Sequence, residues 1–585
     1  MSRPSTRQAW LMLGCILMTA FLLRALFAAL PRVVRWDEAA YQLIAQNLLA
    51  GRGYFELLGA RDLQQPPMVA YLSLLGFTLG LPIHWATSGV VHVLLGGLLV
   101  LPVYGLGHAI YGQRIGLIAG LLVAVFPALA VSPLYWSTMT EPPYLLFVMS
   151  GIYATWRASR SASGGWGWAA GMGLAFGLAY LTRPEALAYL AIMIAYLVFW
   201  RWWDAWSGRR ASARPNNPSH RDPSETPEVD PASRVPSAFG RPLLLASTAI
   251  VVFLLCALPY VVYLHRVTGR WAFSGKQGIS MAIAWAYVNH NQAEHDRVVA
   301  ALDPTGREIM WLSPNQYDQS LAGWIAENPR RFIWQVKRNL DETRQALFNQ
   351  DLFHPWMAAL IVLGLFAHPW MRRRLRDESL LILALLPLVS LWAFFVLSRF
   401  LAIVVPIALL WMAAGVDHLA GWGDTTARNL LPRASNRERS PSALSRILVR
   451  ALPLGITVLA LLWTGCAVVR AELPKQPFFR LEAAQWLAGH ASAGSPVMVR
   501  SSEVPLYAGL PQVAFPNAPW RQVLDYAVGH GARYLVVDDG EIRDIRPPLM
   551  ALVEPGGAAL PGVKLLARLP GRPRTTYIYE FEAIP

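Results

Sequence analysis

Apolar runs of about twenty residues recur along this chain, and no other feature limits the fold so strongly. A helix rises about 1.5 Å per residue, so such a run crosses the roughly 30 Å of hydrocarbon in a bilayer. Hydrocarbon offers nothing to a free backbone N–H or C=O, so each spanning run has to be helical. The first run, from Ala9 to Leu30, follows Arg3 and Arg7. It is long for the core of a cleaved signal and Arg24 interrupts it, so it reads as an uncleaved first span with its N-terminus in the cytoplasm. Further spans are expected near 84–110, 115–131, 141–156, 166–182, 185–203, 243–264, 355–370, 379–398, 400–419 and 451–469, about eleven in all.

Charge supports this reading twice. Only 15% of the 585 residues are charged while 55% are hydrophobic, too few charges to solvate a soluble protein of this length. The net charge of +15 comes from basic residues gathered between the apolar runs. They are Arg114; Arg157 and Arg160; the stretch from Arg209 to Arg241; Arg372, Arg373, Arg374 and Arg376; and Arg428 to Arg450. The intervening turns at 132–140 and 183–184 hold one basic residue, Arg183, which is the pattern of the positive-inside rule. No helix-turn-helix or zinc-finger spacing accompanies the positive charge, so nucleic acid is not an expected partner. Cys15, Cys256 and Cys466 each lie in an apolar stretch without a CxxC pair and read as small helix residues.

The expected fold class is an all-α polytopic membrane protein, residues 1–470, with a small C-terminal α/β soluble domain, residues 471–585. Within the membrane part, 31–83 is a first outer loop whose amphipathic stretches, about 37–50 and 67–80, are expected to lie along the interface. Residues 204–241, rich in Pro, Ser and charge, read as a disordered cytoplasmic linker, and 420–450 is similar but shorter. Residues 265–350 read as a polar outer loop with helical patches. In the C-terminal part, strand-like 497–499, 534–537, 563–569 and 575–581 alternate with a short helix and a helix at 519–530.

The spans are almost free of charge, with Arg24 the main exception. Asp37, Glu38, Glu141, Arg183, Glu185 and Arg399 instead stand where spans meet the outer surface. A transporter or flippase would place such groups at the midplane. An Asp that opens a helix suits capping, and a carboxylate beside apolar surface also suits a base. Arg183 and Arg399 suit headgroup anchoring as well as anion binding, and Glu141, beside Pro142 and Pro143, also suits a cap. His290, Glu294 and His295 do not fit HExxH or HxxEH, and Gly269 to Lys276 is one residue too long for a phosphate loop.

Asp37-Glu38, then Tyr41, Gly51-Arg52-Gly53-Tyr54 and Gln65-Pro66-Pro67, resembles the first outer loop of the GT-C membrane glycosyltransferases. The likeness is nearest to the bacterial branch of the protein O-mannosyltransferase and lipid A aminoarabinose-transferase superfamily. GHAIYGQRIGLIAGLLVAVFP at 107–127, Thr140-Glu141-Pro142, LTRPEAL at 181–187 and SRFLAIVVP at 398–406 follow in the family's order, so the resemblance covers most of 31–410. It implies a GT-C fold and a donor made of a sugar on polyprenyl phosphate, used on the periplasmic face of a bacterial inner membrane with inversion at the anomeric carbon. It also implies Asp37 as catalytic base, Glu38 as a group orienting a metal or the acceptor, and Arg183, Arg399 and Lys276 as cations for the lipid phosphate. Glu141 and Tyr41 are further candidates. Use of a divalent metal stays open, and the acceptor is a lipid, a glycan or a protein. An O-antigen ligase-like enzyme and a lipid-linked glycan flippase are the alternatives.

Overall fold

The computed structural model describes residues 6–161, 164–212, 235–314, 321–348, 352–367, 369–430, 443–554 and 560–582. Among them six helices are long and apolar enough to cross a membrane: Thr6–Ala28, Ile83–Tyr111, Ala186–Ser207, Gly240–Thr268, Ser398–Ala427 and Ile447–Lys475. The protein is a multi-pass membrane protein. The other expected spans are occupied by shorter or less apolar helices, Gln113–Val125, Glu141–Arg160, Trp166–Tyr180 and Pro355–Phe366. Close approach is bought by missing side chains: a Cβ on Gly173 would stand 2.3 Å from the Ala249 carbonyl oxygen, and one on Gly177 would stand 2.6 Å from Cys256 Cβ.

Arg24 is fully buried in the first span without a carboxylate partner among the described residues. Its guanidinium donates to the carbonyls of Val123 (3.1 Å) and Ala124 (3.4 Å), and to Ala20 (3.3 Å). Val123 and Ala124 end the helix Gln113–Val125, which Pro127 prevents from continuing. The free carbonyls and the negative end of that helix therefore absorb the charge.

The expected span at 379–398 is not one helix. The helix Arg372–Leu383 ends, a 3-10 segment runs Leu386–Ala393, and a second 3-10 segment, Ser398–Ile403, leads into Val404–Leu430. Pro387 lacks an N–H and disfavours the α conformation at Leu386, which explains the stop. The carbonyls freed near 392–394 are met by the helix Pro329–Leu347. Gln335 Nε2 donates to Ala393 (2.8 Å) and Phe394 (2.9 Å), and Asn339 Nδ2 donates to Trp392 (3.0 Å) and Phe394 (3.1 Å). Both amides are buried on a helix that otherwise exposes Ile333, Trp334 and Leu340.

The two amphipathic stretches of the first outer loop form the helices Asp37–Leu49 and Pro67–Thr78. The first does not lie half-exposed along an interface, since nine of its 13 residues are buried. Leu506 of the C-terminal domain packs on Val34, Ala39 and Leu43 and covers it. The expected linker is helical to Ser212 and again from Val235; its middle, 213–234, lies outside the described residues, as does 431–442 of the shorter stretch.

The C-terminal domain is a mixed sheet: β1 (Val497–Val499), β2 (Gln512–Val513), β3 (Tyr534–Asp538), β4 (Val563–Pro570) and β5 (Thr575–Phe581), in the order β2-β1-β3-β5-β4. β2, β1 and β3 run parallel, and β5 and β4 continue antiparallel. The domain is clamped to the helix Gln292–Val299 through Asp296, which is buried beneath Arg500 (2.7 Å), Asn517 (2.8 Å) and Arg546 (2.9 Å).

Candidate active site

The adjacent carboxylates Asp37 and Glu38 meet opposite environments. Glu38 has no exposed side-chain surface; Arg32 donates to both its oxygens (2.7 and 2.9 Å), the Thr138 amide donates at 2.7 Å, and the Ser137 hydroxyl also donates. With four donors on it, Glu38 ties the loop to the segment before Glu141–Arg160 and is not free to orient a metal or an acceptor. Asp37 keeps 36% of its side chain exposed and has one ion pair, with Arg399 Nη1 at 3.1 Å.

Thr138 to Glu141 organises the cations as well. Arg399 touches Met139 Sδ, and Arg183 donates to Thr140 Oγ1 and to Glu141 Oε1. Thus Glu141 pairs with Arg183. The two guanidiniums flank one ring, Phe400, at 5.2 Å for Arg399 and 5.1 Å for Arg183. Lys276 completes the group from just before the helix Gln277–Val288, and no hydrogen bond or ion pair holds its ammonium among the described residues. Gly275 explains its position: a Cβ there would fall 2.1 Å from the Leu63 carbonyl oxygen, so only glycine lets this loop press against 62–65.

Burial raises the Asp37 carboxyl, but the charges of Arg399, Lys276 and Arg183 and the Arg399 hydrogen bond outweigh it and hold it below the usual carboxylate range. Lys276 is lowered, by burial first, against the raising charges of Asp37 and Glu185. Tyr41 is buried beneath Asp37 with Ile44, Val69, Ala70 and Val91; burial and the Asp37 charge push its phenol well up, so it stays neutral.

Two carboxyls were not among the sequence candidates. Glu56 accepts from Ser502 Oγ (2.6 Å), and burial raises it to about 8. Asp62 accepts from the amides of Gln64 and Gln65 (both 2.8 Å), and burial raises it to about 6. The carboxylate of Glu56, set among Tyr54, Phe55, Leu57 and Leu58, was the available signal. Among the described residues no group of three or more His, Cys, Asp and Glu side chains is arranged to hold a metal ion; His290 faces Glu342 instead, at 3.2 Å.

Asp37 opens on a cavity of about 870 Å³ between the first outer loop, the segment 286–311 and the C-terminal domain. Its other side faces Arg399, so the carboxylate stands between the cavity and the cations. The preceding Trp36 has φ 56° and a half-exposed indole, a conformation that non-glycine residues adopt chiefly where surrounding structure enforces it.

Solved structures with this architecture include ArnT from Cupriavidus metallidurans, in the apo state (TM-score 0.59) and bound to undecaprenyl phosphate (TM-score 0.56). Each is 12% identical and aligns over 98% of this chain and 98% of that one. The chain has the GT-C fold. The archaeal oligosaccharyltransferase AglB from Archaeoglobus fulgidus, in complex with an inhibitory peptide and a dolichol-phosphate, shares it at TM-score 0.52 and 14% identity, over 94% of this chain and 71% of that one. In sequence, the model of the dolichyl-phosphate-mannose-protein mannosyltransferase family matches residues 64–210, and no curated protein matches.

Proposed function

We propose that this GT-C protein transfers a sugar from a polyprenyl-phosphate-linked donor to an acceptor hydroxyl on the periplasmic face of the inner membrane, with inversion. The observation that carries the reading is the position of Asp37 between an open cavity and the Arg399, Arg183 and Lys276 cluster. The undecaprenyl phosphate bound to ArnT and the dolichol-phosphate bound to AglB are the second support.

In this reading the acceptor hydroxyl enters from the cavity and gives its proton to Asp37. Its oxygen forms a bond to the anomeric carbon as the carbon–oxygen bond to the phosphate breaks, and the electron pair leaves on the polyprenyl phosphate. Attack from the side opposite the leaving group inverts the configuration. The three cations stabilise the charge that grows on the phosphate. A phosphate that takes up Arg399 also weakens its hold on Asp37, so burial then raises the proton affinity of the base when the donor is present. Glu38 and Glu141 hold the frame, by binding Arg32 and Arg183.

Asp37→Asn keeps the shape and removes the base. At equal protein level in membranes it is expected to lower sugar transfer by about 10²–10⁴-fold, read by mass spectrometry of envelope glycolipids and glycoproteins from a deletion strain complemented with either form. Turnover near that of the wild type would end the assignment.

A further inference from the structure

We infer that the cavity beside Asp37 seats the uncharged end of a saccharide, stacked on the indole of Trp36, as the acceptor; this rests on the transfer reading above and names its acceptor class. The charge of the walls is the first reason. The basic side chains on the C-terminal side are already matched: Arg480 with Glu503 (3.0 Å), Arg500 and Arg546 with Asp296 (2.7 and 2.9 Å) and Arg574 with Asp538 (2.9 Å). An anionic acceptor would have to break these pairs, whereas a neutral one leaves them intact. The cations around Arg399 stand apart from this wall and serve the phosphate.

Trp36 is the second reason. Trp36 is 50% exposed at the cavity beside the base, and the Arg35 guanidinium packs 4.1 Å from the ring centroid. Arg35 is itself fixed by the Leu134 (2.8 Å) and Tyr135 (3.3 Å) carbonyls, so the indole is held from behind. A sugar ring presents C–H groups of slight positive charge to the negative face of such a ring and turns its hydroxyls to the sides. The sides are supplied with amides: Gln65, Asn291, Gln292 and Gln512 line the cavity. The side-chain oxygens of Gln65 and Gln512 are buried with no hydrogen-bond partner among the described residues, and a hydroxyl supplies the donor each lacks.

A peptide is disfavoured by the sheet. β2 is the edge strand at this wall, and an extended peptide would add to it. That edge is already taken by the segment around Leu57, where Leu57 bridges Gln512 and the Leu58 amide donates to the Gln512 carbonyl at 2.7 Å. About 870 Å³ lies within the usual range of a ligand site and accommodates the end of a chain of sugars.

The test uses the full chain in lipid nanodiscs on an array of neutral oligosaccharides, phosphorylated and carboxylated saccharides, and peptides. Wild-type protein and Asp37→Asn are expected to be retained on a subset of the neutral oligosaccharides. Trp36→Ala should bind these at least about tenfold more weakly, and Trp36→Phe should recover most of the loss. Retention mainly on anionic saccharides or on peptides, retention on no neutral saccharide, or equal binding by Trp36→Ala would each overturn the inference. If Asp37→Asn binds neutral saccharides yet still transfers sugar, the reaction reading fails and this one stands. If Asp37→Asn stops transfer while neutral saccharides do not bind, the reverse holds.

Discussion

Two clusters of carboxylates and arginines stand at opposite ends of the helix bundle, and they are built on different rules. Glu141 opens and Arg160 closes one helix of 20 residues, which separates the clusters by about 30 Å. At the Arg160 end, Glu378 is fully buried and accepts from Tyr111 (2.9 Å), Trp411 (2.9 Å) and Arg374 (3.3 Å), while Asp377 accepts from Trp156 (2.9 Å) and Arg160 (2.5 Å). Each carboxylate there has several donors, and the network joins four helices. At the other end Glu38 obeys the same rule, but Asp37 is left with one partner and an open face, and Lys276 with none among the described residues. Saturated pairs hold helices together, because buried charge is tolerable only when compensated. A charge left partly unpaired beside a cavity has capacity to spare for a ligand.

The contrast breaks most severely if the saturated end is not structural. Glu378→Ala leaves the part-buried Arg374 without its carboxylate and frees two further donors. It is expected to cost about 3–5 kcal/mol, seen as a large loss of thermal stability in detergent, with donor KM unchanged in whatever protein remains folded. Asp37→Asn should leave the melting temperature nearly unmoved. Equal destabilisation by the two variants would erase the distinction.

At the open end, Arg399→Ala is expected to raise the donor KM by roughly 10–100-fold, the worth of a charge-assisted hydrogen bond to phosphate, with little change in acceptor KM. It should also move the acid limb of the rate profile. Asp37 works ionised and in the donor-free protein its carboxyl is held low by Arg399, so wild-type kcat/KM for the donor falls only as the pH drops below the usual carboxylate range. Without Arg399 the raising effect of burial is opposed only by Lys276 and Arg183, and the limb shifts to higher pH. An unmoved limb would detach Arg399 from the base.

A smaller effect is expected from the amides behind Arg399. Gln335→Leu leaves the Ala393 carbonyl without its donor, while Asn339 still serves Phe394. We expect about a fivefold rise in donor KM, an unchanged acceptor KM, and partial recovery in Gln335→His. Equal changes in both KM values would mean that the outer-loop helix supports the fold in general and not the position of Arg399.

These residues also mark how far the sequence alone can be read. Asp37, Arg183 and Arg399 stand out because the spans are almost free of charge and these residues gather at span ends on one side, although Asp37 and Arg399 are 362 positions apart. The strands of the C-terminal domain stand out through β-branched and aromatic runs, and β1, β3, β4 and β5 lie where those runs do. What separates Asp37 from Glu38 is not local: the donors that saturate Glu38 include Ser137 and Thr138, about a hundred residues away. The break near 394 is hidden for the same reason, since hydropathy averages over 379–398 cannot register that Gln335 and Asn339 stand ready to donate to its carbonyls. Burial of Asp37–Leu49 depends on Leu506, from a different domain.

The smallest expected effect concerns Glu56, a third kind of carboxyl: buried at the cavity wall and opposed by no arginine. Burial raises it from 4.5 to about 8, helped by the negative charges of Asp62 and Asp37. A group whose folded value is raised contributes stability that is complete below its unfolded value and is lost as pH climbs toward the folded one. Wild-type protein should therefore lose stability steadily between about pH 4.5 and 8 on this account. Glu56→Gln, neutral throughout and able to accept from Ser502, should not. The variant is expected to melt a few degrees higher than wild type at pH 8 and at nearly the same temperature at pH 4.5, read by differential scanning fluorimetry in nanodiscs. A wild type that melts as high as the variant, or higher, at pH 8 would mean that Glu56 is ionised in the folded protein. The Ser502 hydroxyl would then donate a charge-assisted hydrogen bond to a carboxylate, and the cavity wall would carry a negative charge that the saccharide reading does not include.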